Sequence, residues 1–258
     1  SEWLNLVVRW AHVFAAILWV GSTYYFTWLD GQLRRSQGGV WMVHSGGFYT
    51  VVKQKTLGVA PKDVHWFRWE ALATWTSGLL LLGIVYYGGG LMVDMSNPRV
   101  SQGAAVGIGI GFLIVGWIVY DLLVRTPLVR NDRAFASVAF LVVFAAAAAL
   151  SQVLTLRATY IHVGALFGTI MAANVWMRIL PPQRRMIAAM ARGEAMDAAL
   201  GAGAKERSKH NTFMAVPTVV IMVSNHFPTA TYGSRYPIVT LSALILVGWL
   251  AAAVVRRG

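Results

Sequence analysis

The stretch GAAVGIGIGFLIVGWIVYDLLV, residues 103–124, indicates the fold class of this chain. It contains a single charged residue, Asp121, and it is long enough to cross a bilayer, which takes about 20 mostly apolar residues in an α-helix. Gly103, Gly107 and Gly111 recur at every fourth position, a spacing that allows two helix backbones to approach closely. The stretch therefore predicts a transmembrane helix whose glycine face packs against a neighbouring helix.

Six further stretches share this length and apolar character. They lie at about residues 4–28, 67–89, 134–154, 158–180, 211–227 and 237–255. Hydrophobic residues make up 57% of the 258 positions and charged residues 12%, which is about half the charged share of an ordinary soluble domain. We therefore predict an all-α, polytopic transmembrane helix bundle of about seven spans, forming a single transmembrane domain over residues 1–258.

Lysine and arginine are concentrated on one side of the predicted bundle. Most of the 22 lie in the segments that follow spans one, three, five and seven. Because such residues collect on the cytoplasmic side of a membrane, we predict an outside N-terminus, a cytoplasmic C-terminus and long cytoplasmic segments at residues 30–66 and 181–209. The net charge of +12 is then a signal of topology and lipid headgroups, and we predict no nucleic-acid partner.

The residue inventory also excludes several kinds of redox and membrane protein. The sequence has no cysteine, which rules out disulfides, thiolate-bound metals, iron–sulfur clusters and a covalently attached c-type haem within it. The seventh span has no lysine for a retinal Schiff base. Two acidic residues, Glu70 and Asp121, lie within spans, where each can form part of a proton path or pair with an arginine. The ion pair is favoured for both, with Arg68 as the partner of Glu70.

The six histidines fall into two groups by predicted depth. Those toward the outside are His12, His162 and His226, and those on the cytoplasmic side are His44, His65 and His210. Imidazoles on facing helices are the axial ligands that a b-type haem needs. This makes the three outer histidines candidate ligands of haem iron.

A haem b site would pair His12 with His162 or His226. Arg9, on the same helix face as His12, could bind a propionate, as could Arg157 or Arg235. One or two haems are compatible with the histidines. One is favoured because His210 and His226 would point to nearly opposite faces of an ideal helix. The alternative interpretation is that each histidine only forms a hydrogen bond to a neighbouring helix or a headgroup.

Five stretches of the sequence resemble a known family. They are RWAHVFAAILWVGSTYYFTWLD (9–30), GGVWMVHSGGFY (38–49), HWFRWEALATWTSGLLLLGIVYY (65–87), YIHVGALFGTIMAANVWMRILPPQRR (160–185) and KHNTFMAVPTVVIMVSNHFP (209–228). On these motifs the chain resembles the membrane domain of bacterial membrane-bound urate hydroxylases, the urate oxidase N-terminal domain family. The resemblance covers nearly the whole sequence.

The resemblance implies a multi-pass protein of the bacterial inner membrane that oxidises urate to 5-hydroxyisourate. Electrons are expected to pass through haem b to cytochrome c or a cytochrome c-containing subunit, and water is expected to supply the hydroxyl group. Urate is expected to bind at the cytoplasmic face, near His44, His65, His210 and Asn211, where a neutral imidazole can act as general base. The sequence departs from the family pattern in having no eighth span and no C-x-x-C-H motif. Three explanations are open: the sequence stops short of these parts, a separate cytochrome accepts the electrons, or this family member has lost urate chemistry.

A function of a different class remains open from the sequence. The chain can be a non-catalytic b-type cytochrome, or a structural subunit, of a larger respiratory or photosynthetic membrane complex. The extensive apolar surface and the glycine steps of residues 103–111 are compatible with that role. Haem binding without urate oxidation would favour it.

Overall fold

The described part of the chain consists of eight α-helices and one β-hairpin. A computed structural model describes residues 2–36, 38–54, 63–96 and 98–257. The elements are α1 (Glu2–Arg35), β1 (Val40–His44), β2 (Gly47–Val51), α2 (Trp69–Leu81), α3 (Gln102–Val124), α4 (Asp132–Leu150), α5 (Leu156–Ala173), α6 (Leu180–Ala191), α7 (Ala198–Val223) and α8 (Pro237–Arg257). Two π-helical segments, Leu82–Tyr87 and Asn174–Ile179, extend α2 and α5.

Six helices of the described residues are long and apolar enough to cross a membrane. They are Glu2–Arg35, Trp69–Tyr87, Gln102–Arg125, Asp132–Leu150, Leu156–Ala191 and Pro237–Arg256, and each overlaps one of the predicted spans. The remaining predicted span, 211–227, lies in α7 and the turn after it. The first half of α7 carries Lys205, Glu206, Arg207 and Lys209, which lowers its apolar character. The mostly helical fold is confirmed, while the seventh span and the orientation stay predictions.

The central helix of the bundle is α5, which packs against α2, α3, α4 and α7. Residues 158–164 are all buried, including His162 and Tyr160, neither of which has any exposed surface. Thr155 caps the helix by accepting a hydrogen bond from the Ala158 backbone N–H at 3.1 Å. A helix that is buried on every face can carry polar side chains only where neighbouring helices supply hydrogen-bond partners.

The close contact between α3 and α5 uses a different glycine face from the one predicted. A Cβ atom added at Gly109 would lie 2.5 Å from His162 Nε2, and one at Gly116 would lie 2.5 Å from Leu166 Cδ1. At Gly103, Gly107 and Gly111 a Cβ would meet no atom within 4 Å. The prediction that the helix face with Gly103, Gly107 and Gly111 packs against a neighbouring helix is therefore wrong. Glycines seven residues apart also share a helix face, and Gly109 and Gly116, which have this spacing, form the contact with α5.

The glycine-rich stretch 38–49 contains a β-hairpin, which corrects the all-α prediction locally. β1 and β2 pair antiparallel, with Val40 opposite Val51 and His44 opposite Gly47. Ser45 and Gly46 form the turn with φ angles of 49° and 75°. Positive φ at both central residues is the geometry of the two-residue turn that best fits strand twist. Valine and aromatic residues on both sides of Ser-Gly favour strands, and this signal could have been seen in the sequence.

Candidate functional site

A cavity of about 700 Å³ lies among α1, α6, α7, the C-terminus of α8 and the segment that precedes α2. We call it the basic-end cavity, because Arg34, Lys205 and Arg256 line it. Its volume falls within the range of about 300–1,000 Å³ that is typical of small-molecule sites. His65 and Asn211, which are far apart in the sequence, both line it. The structure therefore brings two of the four predicted catalytic residues to one cavity.

The charged lining of this cavity is mostly cationic. Five basic side chains line it, namely Arg34, Lys53, Lys205, Lys209 and Arg256, against the single carboxylate of Asp30. Lys53 pairs with Asp30, and Lys209 lies 2.8 Å from Asp132 and 2.7 Å from Glu206. Within the described residues, Arg34, Lys205 and Arg256 form no ion pair. The excess of positive charge favours an anionic ligand.

The uncharged lining combines amides, an imidazole and aromatic rings. The amides are Gln54, Gln183 and Asn211, and the aromatic rings include Trp19, Phe26, Trp66 and Phe67. His65 is exposed to the cavity, and its ring meets Phe67 edge to face at a centroid distance of 4.6 Å. Flat aromatic walls with amide donors and acceptors suit a flat, polar heterocycle.

Asn211 is held in position by a buried amide network. Asn174 Nδ2 donates to Asn211 Oδ1 at 2.9 Å, and Asn211 Nδ2 donates to the Met171 carbonyl oxygen at 3.0 Å. The side-chain oxygen Oδ1 of Asn174 in turn accepts a hydrogen bond from the Arg207 guanidinium at 3.3 Å. Because a side-chain amide has two N–H donors, one N–H of Asn211 remains for a ligand. The π-helical segment Asn174–Ile179 carries Asn174 at its start, and such segments are frequent at functional sites.

Beneath this network, Asp121 binds three arginines. Arg178 donates through two nitrogens, at 2.8 and 2.6 Å, while Arg207 and Arg125 donate at 2.7 and 2.6 Å. The predicted ion pair of Asp121 is confirmed. The predicted pair of Glu70 with Arg68 is wrong, since the Arg68 guanidinium stacks on the Trp69 and Trp176 rings at 5.0 and 5.7 Å instead.

His210 points away from the cavity, although it neighbours Asn211. Successive helical residues point about 100° apart, and His210 stacks on Phe135 at 4.6 Å. Its Nδ1 is hydrogen-bonded with the Tyr120 hydroxyl at 2.9 Å, and its Nε2 lies 3.1 Å from Glu206 Oε1. Burial lowers the pKa of His210 below its usual value, and the carboxylate of Glu206 offsets this only in part. The lowered pKa favours the neutral imidazole.

His44 lies at the end of β1, beside the hairpin turn, where it is exposed. It does not line the basic-end cavity. The hairpin contacts α1 through a hydrogen bond from the Tyr25 hydroxyl to Met42 Sδ at 3.3 Å. Of the four predicted catalytic residues, His44 and His210 are thus outside the cavity wall.

The comparison with known families identifies the chain. The model of the family described as urate oxidase N-terminal matches residues 1–257. The chain belongs to the urate oxidase N-terminal family. No curated protein and no solved structure matches it. The match confirms the resemblance seen in the sequence motifs and indicates a urate-related function for the whole bundle.

His12 and His162, which lie in the apolar helices α1 and α5, have the same tautomer. His12 Nδ1 lies 3.0 Å from the Thr74 carbonyl oxygen, and His162 Nδ1 lies 2.8 Å from the Ala158 carbonyl oxygen. A carbonyl oxygen can only accept, so Nδ1 carries the proton in both rings. Each Nε2 therefore carries the lone pair, which is the form that binds a metal, although in His162 this atom is hydrogen-bonded with the Tyr87 hydroxyl at 3.3 Å.

These histidines do not meet on one haem in the described arrangement. His12 contacts α2 at Thr74 and Ser77, whereas His162 Nε2 lies 3.3 Å from the Tyr87 hydroxyl. Ser77 and Tyr87 are separated by about 15 Å along a helix with a rise of about 1.5 Å per residue. His162 Nε2 also faces Gly109 so closely that a Cβ there would lie 2.5 Å away. A haem between these two rings does not fit.

The other proposed haem contacts do not complete a site either. His226 is exposed at the turn Ser224–His226, and Arg9 is exposed and donates to Asn5 Oδ1 at 3.2 Å. The described residues also contain no group of three or more His, Asp or Glu side chains that could hold a metal ion. Haem b stays a prediction.

Proposed function

We propose that this chain is an oxidoreductase of the bacterial cytoplasmic membrane that binds urate in the basic-end cavity and oxidises it to 5-hydroxyisourate. The observation that carries the proposal is the cavity itself, which combines His65 and Asn211 with three cations that have no ion-pair partner among the described residues. Membership of the urate oxidase N-terminal family supports urate as the ligand. The six apolar helices support a membrane location.

Recognition follows from the chemistry of the lining. Urate is an anion at neutral pH, and Arg34, Lys205 and Arg256 supply compensating charge without an acidic partner among the described residues. Its ring carbonyls and N–H groups match the side-chain amides of Gln183 and Asn211. The aromatic walls exclude water from the faces of the ring, which strengthens each of these polar interactions.

The reaction joins the oxygen of a water molecule to C5 of urate. Starting from the urate anion, one O–H bond of water breaks, the number of ring N–H groups is unchanged, one proton is released, and two electrons leave for an external acceptor, which we propose to be cytochrome c. His65 is placed to remove a proton from water or from urate, and Asn211 is placed to orient the ring. His44 and His210 do not line the cavity, and we propose no contact between them and urate.

Purified protein in lipid nanodiscs tests the proposal by equilibrium dialysis with urate and by urate consumption with ferricyanide as acceptor. His65→Gln should lower the rate by about 10²-fold or more, the usual contribution of a general base, while urate affinity changes little. Arg256→Gln should weaken binding by about tenfold through loss of a charged hydrogen-bond donor. His44→Gln is the matched control and should change neither quantity. A chain that binds no urate, or equal rates for His65→Gln and His44→Gln, would refute the proposal.

A further inference from the structure

A second depression lies beside the basic-end cavity, between α1 and the start of α2. This lipid-facing groove has a volume of about 420 Å³ and is lined by Ile17, Leu18, Gly21, Tyr25 and Glu70, together with side chains that it shares with the cavity. Ile17 and Leu18 are 64% and 48% exposed. Since α1 is apolar and long enough to span a membrane, the groove opens toward lipid rather than water.

The shape of the groove depends on Gly21. A Cβ added at this glycine would meet no atom within 4 Å, so the absent side chain leaves open space on the helix face. Tyr25 and Phe26 follow on the same helix and place aromatic rings along the groove. A flat ring can therefore lie against α1 at this level.

Glu70 is the only carboxylate in the groove lining, and it forms no ion pair within the part of the chain that the structure describes. Arg68, two residues earlier, stacks on tryptophan rings and does not pair with it. Glu70 Oε2 is shielded from solvent and has no hydrogen-bond partner within the described residues. A carboxyl group in this state at an apolar surface is costly and usually functional, and its natural partner is a ligand that donates or accepts a proton.

The groove and the basic-end cavity share part of their walls. Ser22, Phe26 and Phe67 line both of them. The Phe26 and Phe67 rings meet edge to face at 4.8 Å, and Phe67 also meets the His65 ring at 4.6 Å. A single layer of side chains therefore separates a ligand in the groove from a ligand in the cavity.

We propose that the groove binds a membrane quinone, with the quinone ring against Tyr25 and Phe26 and a ring oxygen at Glu70. The proposal rests on the proposed function, because the quinone then takes the two electrons directly, in place of cytochrome c, together with the proton released from water and one proton from solvent. The urate anion, water, quinone and one proton give 5-hydroxyisourate and quinol, so atoms, charge and electrons balance without a further oxidant. An acyl chain of a phospholipid would fit the apolar wall but would leave Glu70 without a partner.

A photoreactive short-chain benzoquinone tests binding without urate. Full-length protein in nanodiscs should be labelled within residues 17–26 or 67–70, and an unlabelled short-chain quinone should compete in a saturable way. Gly21→Leu places a side chain in the groove from a Cβ position that meets no atom within 4 Å, and Glu70→Gln removes the carboxylate, so each should reduce labelling by about tenfold. Gly107→Leu is the matched control, because Gly107 is likewise exposed and a Cβ there also meets nothing within 4 Å. Labelling that is unsaturable, or equal in Gly21→Leu and Gly107→Leu, would overturn the site.

Urate-dependent quinone reduction separates this proposal from the proposed function. Wild-type protein should reduce the quinone with urate as donor, and Gly21→Leu should lose this activity while binding urate normally. If urate is oxidised with cytochrome c or ferricyanide but never with quinone, the quinone is not the acceptor and the proposed function stands. If the groove is labelled but urate is neither bound nor oxidised, the proposed function fails and the transfer of electrons from urate fails with it.

Discussion

Replacing Asp121 with asparagine removes the single negative charge at the centre of three arginines. The substitution keeps the size and shape of the side chain, so packing against the neighbouring helices is preserved. The change therefore isolates the electrostatic contribution of the carboxylate to the stability of the end of the bundle that holds Asn174 and Asn211.

The magnitude follows from how deeply each arginine is buried. The Arg125 and Arg178 side chains are 57% and 34% exposed, so water can solvate them, and each pairing is worth about 0–1 kcal/mol. The Arg207 side chain is only 8% exposed, as is that of Asp121. Leaving one buried partner without its counterion costs about 3–5 kcal/mol. Because the asparagine oxygen still accepts one hydrogen bond, we expect about 3 kcal/mol, near the lower end of that range.

The assay is thermal unfolding of the purified protein in detergent, followed by intrinsic tryptophan fluorescence. In chains of this size, about 1 kcal/mol corresponds to about 2–4 °C in Tm, so Asp121→Asn should lower Tm by about 6–12 °C. Asp132→Asn is the matched control. That aspartate side chain is 72% exposed and pairs with Lys209 at 2.8 Å, so its loss should cost less than about 1 kcal/mol.

A double variant identifies the buried cation as the cause. Removing the charge of Arg207 together with that of Asp121, as Asp121→Asn with Arg207→Met, should recover most of the lost stability, because no unpaired buried charge remains. The reasoning is refuted if Asp121→Asn lowers Tm no more than Asp132→Asn does. It is also refuted if the double variant is less stable than the single one.

Two further predictions concern α3 and α7. Gly109→Ala should destabilise the protein by about 1–3 kcal/mol, because its Cβ would lie 2.5 Å from His162 Nε2. Gly107→Ala is the control and should leave the stability unchanged, because its Cβ would meet no atom within 4 Å. Measurements of Tm on both variants test this prediction. Stability should also fall by on the order of 1 kcal/mol as the pH decreases from 6.5 to about 5.5, because the lowered pKa of buried His210 leaves the unfolded state binding more protons in this range. This decrease in Tm should be smaller in His210→Gln, and an identical pH profile would contradict the assignment.

The helices could be predicted well from the sequence, because a long apolar segment in a membrane has few stable structures other than an α-helix. Six of the seven predicted spans lie in helices that are apolar and long enough to cross it. The ion pair of Asp121 could also be predicted, since a carboxylate at that depth has to be compensated. What the sequence could not supply was the choice of partner. Arg68 is closer than any other arginine to Glu70 along the chain, yet its guanidinium stacks on two tryptophan rings.

The candidate site was predicted only in part, for a geometric reason. His210 and Asn211 are adjacent in the sequence and were assigned to the same site, but a helix turns by about 100° per residue, so one faces Phe135 and the other the cavity. Which of two neighbours faces a cavity depends on the helices around it. For α7 those neighbours are positioned by the π-helical segment after α5, which shows no simple pattern in the sequence.

The cavity cations illustrate why topology signals conceal binding sites. Arg34, Lys205 and Arg256 follow predicted spans one, five and seven, so the positive-inside bias accounts for each of them and gives no reason to look further. Only packing separates a cation that faces headgroups from one that lines a cavity. The two roles differ in how they respond to salt, because exposed charges are screened within about 10 Å at 0.1 M salt and partly buried ones much less. Arg256 is half-buried whereas Arg34 is exposed. Urate binding that depends on Arg256 should therefore persist at a salt concentration that abolishes the contribution of Arg34.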